Sequence, residues 1–255
     1  MRRAIRAEWA KTWSDPATPW LLAGRVVLSA AVSAATIGTA RCPATGCGQD
    51  PARLSLSGVY LGQAVAALAG VLAIGSEYGT GMIRVTLTAV PRRGRLLAAK
   101  ALVLAGPVLV ASALALGAAV LAGVIALPGH GFTAGHGSGP AGAAMARAWC
   151  CAAAYLTLVA LLGLGVTAIV RDSAAAIGIV LGVLYLFPIA ARAVGDQTVQ
   201  RRLEQLGPMA AGLDSQATIG LPGLPLTPWQ GLGVVTLWTA GALVLGGVAL
   251  RLRDA

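Results

Sequence analysis

Residues 77 to 100, EYGTGMIRVTLTAVPRRGRLLAAK, concentrate polar side chains between two long apolar runs. Written as a helix, Glu77, Thr80, Arg84 and Thr88 fall on one polar face, with Ile83, Leu87 and Val90 as an apolar stripe beside it. Pro91 ends that helix, because its ring and missing N–H oppose continuation. Arg92, Arg93 and Arg95 then sit at headgroup level before Lys100 leads into the next apolar run. A two-faced helix of this kind offers recognition chemistry, namely docking into a groove of another protein. The competing reading is a loop whose arginines only set topology, which leaves Glu77, Gly79-Thr80-Gly81 and the two distinct helix faces without a role.

Other chemistry is sparse. No G-x-x-x-x-G-K-[ST] loop is present to cradle ATP phosphates, so this chain is not expected to be an ATPase or another enzyme. There is no H-E-x-x-H, the G-S-G at 137 to 139 lies in a Gly-rich loop, and the spans carry no carboxylate relay. Cys42 and Cys47, in RCPATGCG, can form a disulfide if the turn brings their Cα atoms within about 7 Å. His130 and His136 share their side of the membrane, but only loop geometry could assemble a metal site, and none is expected. Cys150 and Cys151 read as small packing residues within a span.

The elements that must position these groups are set by composition. The chain is 57% hydrophobic and 11% charged, with mean hydropathy +0.78, more apolar than a soluble core of this length can hide. A spanning helix needs about 20 apolar residues. Six candidates meet that length, at roughly 19 to 40, 55 to 76, 101 to 127, 144 to 170, 173 to 193 and 229 to 250. The expected fold is an all-α membrane protein with a single transmembrane domain over 1–255. Arg25, near one end of the first span, reads as an interfacial anchor that snorkels to the headgroups. Gly178 and Gly182 form a G-x-x-x-G in the fifth span, read as packing.

Twelve Lys and Arg lie on the side shared by both termini and six on the other, which places both termini and residues 77 to 100 in the cytoplasm. The net charge of +10 follows from this topology and from attraction to anionic lipids, and no basic stripe with interleaved aromatics suggests nucleic acid. Residues 1 to 15 read as an interfacial amphipathic helix with Ile5, Trp9 and Trp13 on one face, stopped by Pro16 and Pro19, and no cleavable signal is expected. The loop 194 to 228 faces outside and is long enough to carry a helical piece of its own, whereas Gly129 to Gly142 is a Gly-rich external loop.

The set Glu77, Tyr78, Gly79, Thr80, Arg84, Leu87, Pro91, Arg93 and Lys100 resembles the signature between the second and third spans of permease subunits of type-2 ATP-binding-cassette transporters. Also similar are the basic N-terminal helix with Trp, the six spans, the short turn at 170 to 173, and a last helix opened by Pro228, Trp229 and Gly231. Gly81 departs from the family pattern, where a larger residue follows Gly-Thr, and an extra Gly loosens a helix by about 1 kcal/mol relative to Ala.

The resemblance implies an exporter half in a bacterial plasma membrane. Two permease subunits, either two copies or this chain with a similar one, would form a dimer over separate ATPase subunits that bind ATP and magnesium. Residues 77 to 91, including Ile83, would be the coupling helix that receives ATP-driven movement. The second and fifth spans would line the path, through Ser57, Tyr60, Gln63 and Tyr185, which suits an amphipathic or apolar cargo such as a drug, antibiotic, peptide or lipid. The alternative is a scaffold or sensor subunit that recruits a cytoplasmic protein through residues 77–91 without transport.

Overall fold

A computed structural model describes residues 2–14, 17–41, 49–82, 93–130 and 140–252. It is an all-α bundle, with no β-strand among the described residues. The ten α-helices among the described residues are α1 (Arg2–Ser14), α2 (Ala17–Thr39), α3 (Pro51–Ser55), α4 (Val59–Gly79), α5 (Arg93–Ala126), α6 (Pro140–Val170), α7 (Ser173–Ala193), α8 (Gln197–Leu206), α9 (Pro208–Asp214) and α10 (Pro228–Leu252). Six of them, α2, α4, α5, α6, α7 and α10, are long and apolar enough to cross a membrane, which makes this a multi-pass membrane protein. Their unpaired apolar side chains point outward, as in Leu114, Ile125, Leu186 and Leu237, because lipid is as good a solvent for them as the protein interior.

α6 is the hub, packed against α4, α5, α7 and α10. Little hydrophobic force drives helices together in lipid, so close backbone approach has to supply the contact. Small residues permit it on two sides of α6. A Cβ on Gly70 would overlap the Ala160 carbonyl oxygen, and one on Gly163 would overlap that of Ala67, which zips α4 to α6. Gly165 meets Ala242 and Gly246 in the same way along α10. Tyr155 of α6 is fully enclosed, and its hydroxyl donates to Gln63 Oε1 of α4, a polar pair that water cannot reach.

Element boundaries differ from expectation at informative points. The second span begins at Val59, because Asp50 caps a separate helix α3 through Ala52 N (2.9 Å) and the chain turns again at 56 to 58. The third span starts at Arg93 instead of 101, since Lys100 is neutralised inside the bundle and needs no water. The segment 194 to 228 carries α8 and α9. Between α6 and α7 the chain reverses at Arg171 (φ 64°), and Asp172 caps α7 through Ala175 N (2.7 Å).

α1, the end of α4, the start of α5 and the end of α10 lie together, called here the near end: Arg93 Nη1 donates to the Leu250 carbonyl at 2.6 Å. The far end holds α3, α9 and the 215–219 segment. Arg25 corrects the sequence reading. It does not snorkel; it is 2% exposed, with its guanidinium donating to the Val108 carbonyl (3.3 Å) and to Ser112 Oγ of α5. The first span packs beside α5, and that neighbour offers acceptors closer than the headgroups.

Candidate functional site

The 77 to 100 segment divides where the backbone requires it. α4 continues through Glu77 to Gly79, Thr80 closes it with its N–H on the Ser76 carbonyl (3.1 Å), and Gly81 adopts φ +70°, which a glycine reaches without strain. The helix that carries Glu77 therefore ends at Gly79 and does not run on through Gly81. Ile83, Arg84, Leu87 and Pro91 lie outside the described residues.

Glu77 points inward. It is 1% exposed and stands at the centre of four charges that join three helices. Lys100 Nζ of α5 donates to Glu77 Oε1 at 2.5 Å and to Glu8 Oε2 of α1 at 2.7 Å, while Lys11 of α1 also donates to Glu77 Oε1. The order Lys11, Glu77, Lys100, Glu8 alternates in sign and sums to zero. Burying isolated charges costs several kcal/mol per ion, and an alternating neutral chain is how such a group becomes tolerable. Lys suits the central place: an ammonium with three donors can bridge two carboxylates from different helices, whereas a guanidinium presents a planar fork.

Glu8 and Lys11 escaped the sequence reading, which gave α1 a flat amphipathic role. In the structure the polar side of α1 is the docked one, with Glu8 buried and Trp9 48% exposed. A signal was available. Lys11 and Lys100 are the only two lysines in a chain otherwise charged by arginine, and Glu8 and Glu77 are two of its three glutamates.

The rest of the predicted coupling set surrounds this chain of charges. Tyr78 packs half-buried against the cluster of Ile74, Leu97, Leu164, Ala168 and Leu250. Gly79 and Thr80 are exposed, and Thr80 Oγ1 donates to the Ser76 carbonyl (2.8 Å). Arg93 holds the end of α10, as described above.

The four residues assigned to a path separate into two pairs. Gln63 is fully buried against Tyr155, and Ser57 is buried with its hydroxyl 2.5 Å from Thr36 Oγ1; both face the subunit interior and not an open surface. Tyr60 is exposed, and Tyr185 Oη donates to its carbonyl (2.8 Å), so these two share an outer face of α4 and α7 near the far end. Gly178 and Gly182 have open space where a Cβ would lie, so they are not used for packing within the subunit.

Cys42, Cys47 and His136 lie outside the described residues. Cys150 and Cys151 are free thiols, the second buried, and no cluster able to hold a metal occurs among the described residues. No protein-family model matches the chain, and no curated protein matches it significantly.

Proposed function

We propose that the chain is the membrane-spanning permease subunit of an ATP-driven exporter in a bacterial plasma membrane, energised by a separate ATPase subunit that binds ATP and magnesium. The observation that carries this reading is the Lys100–Glu77 pair at 2.5 Å. It joins the two helices from which the 80–92 segment emerges, and Lys11 and Glu8 tie α1 to the same point. A push on that segment therefore acts on the second span, the third span and α1 together. This is the mechanical requirement of a coupling element, and the resemblance of residues 77 to 100 assigns the same role.

The working unit is a dimer of two copies or of this chain with a similar permease. Tyr60 and Tyr185 are the path residues retained, since Ser57 and Gln63 are enclosed within one subunit. With exposed Leu61, Ile179, Leu186 and Ile189 on the same two helices, that face suits an amphipathic or apolar cargo such as a drug, antibiotic, peptide or lipid.

The test is to purify the tagged chain in mild detergent from its native host and identify co-purifying proteins, alongside Arg84→Glu. An ATP-binding-cassette ATPase should accompany the wild type and be lost from the variant, with the permease still folded in the membrane. If several detergents yield a cytoplasmic protein that is not an ATPase, the chain is a recruiting scaffold instead.

A further inference from the structure

α2 and α4 are in tight contact at the far end and part toward the near end. At the far end Gly62 lies against Ser29, the Gly58 N–H donates to Ser33 Oγ (3.0 Å), and Thr36 meets Ser57. Toward the near end a largely apolar cleft, partly open to the surroundings, lies between α1, α2, α4 and α5.

The walls of the cleft are graded. Its body is apolar, formed by Leu22, Leu72, Ala73, Leu104 and Val108, and its end is crossed by Lys11 and Glu8 of α1 with Lys100 behind them. From Lys100 to Val108 the α5 wall runs about 12 Å at 1.5 Å per residue. The polar end lies at headgroup level, because Trp9 of α1 and Trp20 of α2 are exposed, and such rings belong where the bilayer meets water. Of the two lysines, only Lys11 can be reached: its side chain is 38% exposed, against 2% for Lys100.

We propose that this cleft binds one anionic glycerophospholipid, with the phosphate on Lys11 at the mouth and an acyl chain along Leu72 and Leu104. The polarity gradient runs in the same sense as that of a lipid. The reachable group is a cation: the Glu8 and Glu77 side chains are only 10% and 1% exposed, whereas Lys11 is 38% exposed and, with one N–H on Glu77, keeps donors for a phosphate. A bound lipid would thus contact α1 and the helices on both sides of the 80–92 segment. This inference does not depend on the export reading.

Native mass spectrometry of the full chain, exposed to equal amounts of phosphatidylglycerol and phosphatidylcholine with matched acyl chains, tests it. One phosphatidylglycerol should survive activation that strips the other lipids. Lys11→Gln should cut the preference for phosphatidylglycerol about fivefold, the worth of one surface lysine on an anionic membrane. Ala73→Phe and Leu104→Trp fill the cleft from opposite walls and should each lose the retained lipid, so the result does not hang on one variant folding. Retention unchanged in the filled variants, or equal retention of both lipids by the wild type, would overturn the proposal and leave an ordinary lipid-facing groove.

Discussion

The two ends of the bundle solve the same problem differently. At the near end four charged side chains from α1, α4 and α5 satisfy one another, with Glu8, Glu77 and Lys100 buried and Lys11 partly exposed. At the far end, charged side chains mainly hold backbone. Asp50 accepts from Thr218 N (2.6 Å), Thr218 Oγ1 (2.5 Å) and Ile219 N (3.2 Å) while capping α3, and Arg147 donates to the carbonyls of Ser215 (3.2 Å) and Ala217 (2.6 Å). A side chain bound to backbone leaves only neutral groups behind when removed. A member of an alternating charge chain, once removed, strands its neighbours as buried unpaired ions. The near end is therefore the more brittle of the two, and it adjoins the segment proposed for coupling.

The largest expected effect breaks that contrast at its centre. Glu77→Ala leaves Lys100 and Lys11 without their shared partner and should cost about 3–5 kcal/mol, the range for breaking a buried pair. Thermal unfolding of the purified protein in detergent would show it, and a cost under 1 kcal/mol would mean that water reaches the cluster. Lys11→Ala, at the exposed end of the same chain, should cost only about 1 kcal/mol, because solvent screens it and Lys100 still neutralises Glu77.

At the far end Asp50→Ala removes a helix cap and the acceptor for the 218 to 219 backbone, and should cost about 2 kcal/mol, between the two near-end variants. Faster hydrogen exchange confined to the 215–219 segment and α3 is the accompanying signature. Spread of that exchange to α1 would mean that the two ends are not independent.

The smallest effect is a pH response of α8. Hydrogen bonds from Thr198 N (2.7 Å) and Val199 N (3.3 Å) hold the Asp196 carboxyl below its ordinary value. A depressed carboxylate contributes stability that is complete above the unfolded-state value of 3.8 and disappears as pH falls through the lower folded value. The first turn of α8 should exchange amide protons faster in that acid window while the spans stay protected. Asp214, also outside the spans, shifts the other way, raised by burial despite the Arg53 guanidinium at 2.9 Å.

Much of the architecture could be read without coordinates, because a run such as 231 to 250 contains no charge and has one comfortable solvent. Charges within or beside the spans were harder. Arg25 reads as a snorkelling anchor in the sequence and is a buried donor in the fold, because Val108 and Ser112 stand nearer than the headgroups. Glu77 falls on a docking face if the helix runs to Pro91, and in the interior if it ends at Gly79. One glycine with φ +70° at position 81 decides between these. Gln63 and Tyr60 are neighbours on one helix, and only the neighbouring helices determine which is enclosed.

By itself the sequence determined the solvent of this protein, the number of its spans and the place of its polar segment, since these depend on the length and polarity of contiguous runs. The tertiary structure alone decided which charges meet. Glu8 and Lys100 are 92 residues apart in the chain, yet Lys100 Nζ donates to Glu8 Oε2 at 2.7 Å between two helices, a pairing that depends on how α1 folds back onto α5 and that no local pattern encodes.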